Sequence, residues 1–204
     1  MSEEMKGVNV FTQVLEEHLR VMQELRTMQP LLEAAASQMV RALRAGNKVF
    51  WCGNGGSAAD SQHLAAELIG RFRRERRALA SIALSVNTSI LTAISNDYGY
   101  DLVFRRQIEA LGSRGDVLIG ISTSGNSANV VQAMELARHM GIFTIAMIGA
   151  KGGRCADNAD LALRMPTDET ARIQEAHIFC GHFICDCVEA AMVQGDANRA
   201  GAGA

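Results

Sequence analysis

Hydrophobic and polar positions change their period once along the chain, and the change divides it. Over residues 8–46 apolar side chains recur at helical spacing. Val10, Val14, Leu15, Leu19 and Met22 form one stripe, and Leu32, Ala35, Met39, Val40 and Leu43 form a second. The pattern predicts two helices parted near Met28-Gln29-Pro30, with Pro30 opening the second and Gly46-Asn47 ending it. From Lys48 short apolar runs alternate with amphipathic segments. Candidate strands are 48–52, 81–84, 117–121, 144–148 and 161–165, with helices at 57–72, 88–95, 101–111 and 127–140. Most of the strands are continuous apolar runs, as in a parallel sheet covered on both faces. The pattern predicts an α/β fold: a three-layer αβα, doubly wound, five-stranded parallel sheet with N-terminal helices.

The last periodic segment, about Thr170 to Val193, is apolar over most of its circumference. Ile173, Ala176, Cys180, Ile184, Cys187 and Ala191 form one stripe, yet Phe179, Phe183 and Val188 lie off its centre. One sheet face cannot bury such a helix, so other helices, of this chain or another, must cover the rest. His177 falls on the stripe and reads as a hydrogen-bonded core histidine. His182 lies about 200° from Cys180 and needs a polar partner in so apolar a helix. The Gly- and Ala-rich stretch 195–204 reads as a disordered tail.

Two strand ends carry the candidate chemistry. The run Val117–Ile121 breaks into Ser122-Thr123-Ser124-Gly125-Asn126-Ser127, which opens into a helical pattern. Hydroxyls and free backbone N–H groups at a helix N-terminus favour an anion, although an ordinary Ser-capped helix has the same look. No Lys stands where a nucleotide P-loop requires one. The first strand ends in a similar turn, Cys52-Gly53-Asn54-Gly55-Gly56-Ser57. Two such loops on neighbouring strands would line the crevice where open α/β sheets bind ligands, and the pair points to a phosphorylated small molecule. His63 and Glu67 follow at i,i+4 on one helix face, suited to a shared divalent metal, to acid–base work, or to a surface pair.

Composition removes several classes. Hydrophobic residues make up 48%, charged residues 21%, and the formal net charge is −2, which excludes a disordered chain and speaks against a nucleic-acid binder. No uninterrupted apolar run approaches the roughly 18 residues of a membrane span. The acidic Ser2-Glu3-Glu4 is not a secretory signal. The five cysteines, Cys52, Cys155, Cys180, Cys185 and Cys187, lack zinc-finger spacing and read as buried thiols in a reducing cytoplasm.

Five stretches occur together in order: Cys52 to Ser57; His63 to Glu67 with Gly70-Arg71-Phe72; Asn96-Asp97-Tyr98-Gly99; residues 115–130; and Arg172-Ile173-Gln174-Glu175 with His182. On these the chain from about Lys48 to Glu189 resembles the SIS (sugar isomerase) domain family. With its N-terminal helices it resembles the branch that isomerises heptose phosphates. The resemblance implies a flavodoxin-like sheet and divides the chain into a helical arm (1–47), a SIS domain (48–194) and the tail. It implies substrate contacts from Asn54, Gly55, Gly56, Glu67, Asn96, Asp97, Ser122, Thr123, Ser124, Ser127 and Gln174. It also implies a zinc ion held by His63, Glu67, Gln174 and His182. The implied reaction converts sedoheptulose 7-phosphate into D-glycero-D-manno-heptose 7-phosphate, for a lipopolysaccharide core or related glycan. In it Glu67 would be the carbon base, and His182 would work on the sugar oxygens. Relatives that bind a replication initiator without catalysis lack the carboxylate, which Glu67 supplies here; an isomerase of another phosphosugar is the remaining alternative.

The resemblance also implies a homotetramer. Gln174 and His182 are eight residues apart, about 12 Å of helical rise, so one straight helix brings both to one ion only at the limit of reach. A bend, a Gln174 lying before the helix proper, or donation from two chains would relieve this.

Overall fold

The computed structural model describes residues 9–201, with side chains as far as Gly195. Ser2-Glu3-Glu4 and the last three residues of the expected tail lie outside the described residues. Five strands, β1 (Val49–Gly53), β2 (Ser81–Ala83), β3 (Val117–Ser122), β4 (Phe143–Ile148) and β5 (Leu161–Arg164), form an all-parallel sheet in the order β2-β1-β3-β4-β5. The expected strands agree with these to within a residue at each end. Successive side chains point to opposite faces. Val49, Trp51, Ile119, Ile121, Ile145, Met147 and Leu163 face one core; Phe50, Cys52, Leu118, Ala146 and Ile148 face the other.

Helices α2 (Gln29–Arg44), α3 (Gly56–Ile69) and α8 (Thr170–Gly201) cover the first face. On the second lie α5 (Arg105–Leu111) and α6 (Ala128–His139), with the one-turn α7 (Arg154–Asp157), which no sequence period announces. Helix α1 (Val10–Glu24) runs through a 3₁₀ turn, Leu25–Met28, into α2, which starts at the expected proline. Two helical patterns differ in extent. The segment 101–111 splits into a 3₁₀ turn, Tyr100–Leu102, and α5, while α4 (Thr88–Tyr98) carries Asn96 and Asp97 inside its last turn. The helix expected over 57–72 stops at Ile69, because the carboxylate of Glu189 takes the backbone N–H groups of Phe72, Arg73 and Arg74.

Helix α8 runs on to Gly201, past the point where disorder was expected; no proline interrupts it. Its span Thr170–Gly195 is long and apolar enough by composition to cross a membrane, contrary to the reading of apolar runs, yet half of it is buried in the domain. It is a core helix, and one of its buried residues is the charged Glu189. The α1 stripe behaves oppositely: Val10, Val14, Leu15 and Leu19 are exposed, and α4 has no fully buried residue, with Leu91 and Ile94 half-buried against the second core.

Candidate active site

The winding of the sheet reverses between β1 and β3, and the two glycine- and hydroxyl-containing loops leave from that point. Gly53 pairs with Ile121, and Ser122 with Ile148, so both loops rise from the same sheet edge. This is where a doubly wound sheet opens a ligand crevice. The loops are tied together by a reciprocal amide pair: Asn54 and Asn129 each donate to the other at 2.9 Å, and Tyr100 donates its hydroxyl to Asn54 Oδ1 at 3.0 Å. Gly55 adopts φ 55°, a conformation that opens α3 without a side-chain cap.

The hydroxyl loop closes on itself before α6. Ser122 and Ser127 hydroxyls lie 2.9 Å apart, Asn126 donates its N–H to Ser124 Oγ at 3.2 Å, and Gly125 donates to the Ser122 carbonyl. Ser127 stands at the N-cap of α6 yet makes no capping bond, so its hydroxyl stays with the loop. Gly125, at φ 66°, passes so near Gly152 that a Cβ there would overlap the carbonyl oxygen of Gly152. The loop is thereby held by backbone contact with the turn after β4.

Helices α3 and α8 run side by side and supply the remaining groups. Gln174 lies against Gly56, where a Cβ would meet its amide nitrogen at 2.5 Å; Gly181 lies against Leu64 just as closely. The glycines let the helices approach, and His182 meets His63. Their Nε2 atoms are 2.9 Å apart, and His63 Nε2 is 3.3 Å from Glu67 Oε1. Donor atoms of His63, Glu67 and His182 all lie within 4.8 Å of one another. Burial, followed by the neighbouring His63, lowers the pKa of His182, with Glu67 opposing; its imidazole is neutral at neutral pH. Phe72 stacks on that imidazole, with centroids 5.4 Å apart and planes at 27°.

One chain thus brings together three of the four expected metal donors. Gln174 belongs to α8, which excludes its lying before the helix, and it sits two turns of α3 before His63, about 10 Å of rise. Glu67 and His182 converge within one chain. Asn96 and Asp97 are exposed, and Asn96 donates to Asp97 at 2.8 Å. His177 is wholly buried as expected, but neither ring nitrogen closes a hydrogen bond. Burial holds its pKa down to about 4, with the Ile148 carbonyl opposing. Residue types alone gave no sign of Asn129 or Tyr100. Phe72 stood within a recognised stretch, without a role. Asp60, one turn before His63, has a buried, unpartnered Oδ2, and burial raises its pKa.

This sheet order and crevice define a doubly wound α/β ligand-binding domain, and the family model described as the SIS domain matches residues 11–149. The phosphoheptose isomerase of Roseiflexus sp. (strain RS-1) is 56% identical over 165 residues, 81% of this chain and 84% of that protein. That of Helicobacter hepaticus is 52% identical over 172 residues, 84% and 88% of the two chains. The solved phosphoheptose isomerase of Neisseria gonorrhoeae superposes with a TM-score of 0.84 at 45% identity, covering 88% of this chain and 97% of the other. The chain belongs to the phosphoheptose isomerase family.

Proposed function

We propose that the chain interconverts sedoheptulose 7-phosphate and D-glycero-D-manno-heptose 7-phosphate by an aldose–ketose isomerisation. The observation that carries this is the convergence of His63, Glu67 and His182 in a chain whose β3 ends in a hydroxyl-rich loop at a helix N-terminus. Moving a carbonyl between C1 and C2 requires removing a carbon-bound proton, forming an enediol and returning the proton to the neighbouring carbon. Glu67 is the carboxylate placed to make both transfers. A neutral His182 can carry a proton between the two sugar oxygens. Ser122, Thr123, Ser124 and Ser127 hold the phosphate at the far end, with Asn54, Gly55, Gly56 and Gln174 along the crevice, and so orient the reacting carbons.

The donor set fits zinc: two imidazoles and a carboxylate facing one point, with both Nε2 atoms directed at each other. Three protein donors leave a position for substrate, the arrangement of catalytic zinc. His63, Glu67 and His182 would hold the ion, which when bound supplies Lewis-acid polarisation of the sugar carbonyl. A nitrogen given to a metal cannot also carry a proton, so the two roles of His182 compete. The test is conversion of sedoheptulose 7-phosphate by the purified chain, with and without chelator. Loss of turnover on chelation assigns His182 to the metal, unchanged turnover assigns it to the proton, and no conversion in either state overturns the reading. A non-catalytic relative is disfavoured by the presence of Glu67 together with His182.

The functional unit we infer is a homo-oligomer, a tetramer by family resemblance, acting in the cytoplasm. Its support is the exposed α1 stripe and an α4 that has no fully buried residue; the location rests on the free cysteine thiols.

A further inference from the structure

Behind the candidate site lies a buried ion pair that the proposed chemistry does not use. Glu189 is wholly buried on α8, seven residues after His182 and therefore on nearly the same helix face, about 10 Å further along. Its carboxylate accepts the N–H groups of Phe72, Arg73 and Arg74, each at 2.8 Å, and Oε1 lies 3.3 Å from Arg76 Nε. The Arg76 side chain is 1% exposed. Its guanidinium donates to the carbonyls of Gly70 and Arg77 at 3.0 Å and of Glu67 at 2.8 Å. The carbonyl of Glu67 belongs to the last turn of α3, where carbonyls lack helical partners and a cation is favoured. The pair therefore fastens the end of the helix carrying His63 and Glu67 to the helix carrying His182.

An apolar pair of similar volume would hold two helices together at least as well, since a buried ion pair surrenders its hydration. Three directed N–H bonds and a guanidinium fork give something an apolar contact does not. They fix the course of the backbone from Gly70 to Arg77. On that course Phe72 turns back onto the imidazole of His182, which is caught between the Phe72 face and the edge of His63.

We propose that Glu189 and Arg76 are positioning residues. They hold the 70–77 loop so that Phe72 locks the His182 ring in its orientation toward His63 and Glu67. This rests on the reading of Glu67 and His182 as the reacting groups, and the test has one arm that depends on that reading and one that does not. In the first arm kcat, KM and the thermal midpoint are measured for Glu189→Gln, Phe72→Leu and Phe72→Tyr. Glu189→Gln and Phe72→Leu are expected to lower kcat by about 10- to 100-fold, with KM within about threefold. Phe72→Tyr, which keeps the ring, should restore kcat to within about threefold of the wild type. In the second arm the ring protons of His182, assigned with His182→Ala, are followed by NMR. Stacking under Phe72 shifts them upfield, and Glu189→Gln should move them toward their position in Phe72→Leu. A Glu189→Gln chain with a lowered midpoint but wild-type kcat and unmoved ring signals would overturn the proposal. A wild-type chain that fails to isomerise the substrate sinks the functional reading instead, and the NMR arm then decides the positioning role by itself.

Discussion

A neutral imidazole buried without a hydrogen bond makes stability depend on pH. His177 takes up a proton near pH 6.5 when unfolded but only near pH 4 in the fold, because burial disfavours its charged form. Between those values protons bind the unfolded chain preferentially, so stability falls as pH drops through that window. The shift corresponds to about 3 kcal/mol. The depressed carboxyls of Glu175 and Glu189 act lower: burial works against their charge, but hydrogen bonds and neighbouring cations outweigh it. Their contribution is present above the ordinary carboxylate range and is lost only as pH falls through it. Urea unfolding of His177→Phe beside the wild type should therefore show a gap between the two that shifts by about 3 kcal/mol in favour of the variant from pH 6.5 to pH 4. A constant gap would mean that His177 finds a partner in solution. At the reacting end, Glu67→Gln is nearly isosteric but cannot accept the carbon-bound proton, and turnover should fall by about 10²–10⁴ with the fold intact. Near wild-type turnover would move the base to Asp97 or His182. The sequence placed His177 inside by its stripe, but periodicity cannot say whether a buried nitrogen finds a partner. That depends on how closely the fold brings an acceptor of another element, here the Ile148 carbonyl of β4, to the ring.

Elements were legible where their signal is local. Four of the five strands announce themselves as apolar runs, since a parallel sheet covered on both faces has no polar side to interrupt them. Residues 70–72 were misread as helix because what ends α3 is a carboxylate more than a hundred residues further on. The same remoteness hid the approach of α3 to α8, which depends on Gly181 facing Leu64. Gly181→Ala would put a Cβ 2.5 Å from Leu64 Cδ1 and 3.1 Å from its Cγ, and Leu64 is wholly buried. The expected result is a loss of about 1–3 kcal/mol in chemical unfolding, with reduced kcat as the two helices part. A fully stable and active variant would show that the helix pair tolerates a wider spacing. The hydroxyl loop was legible as a turn opening a helix, which is the place that favours an anion. Ser122→Ala, Ser124→Ala and Ser127→Ala should raise KM more than they lower kcat, with orthophosphate as a weak competitor. Some loss of kcat is compatible, since remote binding energy also reaches the transition state. An unchanged KM in all three would place the phosphate elsewhere.

The whole molecule has surfaces that one chain leaves uncovered, and they bear on which site residues act across chains. Glu67 and His182 meet within a chain, so a site built on them receives both from the same polypeptide. Asp97 is different. It is exposed in the last turn of a helix that has no fully buried residue, beside Tyr98, which is 55% exposed. In the homo-oligomer proposed above, a neighbouring copy covering this helix would receive Asn96 and Asp97 at its own crevice. Subunit exchange separates the two cases. Glu67→Gln chains mixed with His182→Ala chains should remain inactive, because no mixed site holds both wild-type groups. Glu67→Gln chains mixed in equal amount with Asp97→Asn chains should recover about a quarter of wild-type activity. Half the sites would have an intact Glu67, and half of those would receive an intact Asp97 from the neighbour. Recovery in the first mixture would contradict the single-chain convergence of Glu67 and His182. Silence in the second, with exchange demonstrated by mass, would confine Asp97 to its own chain or remove it from the site, and an entirely monomeric protein would rule out any contribution across chains.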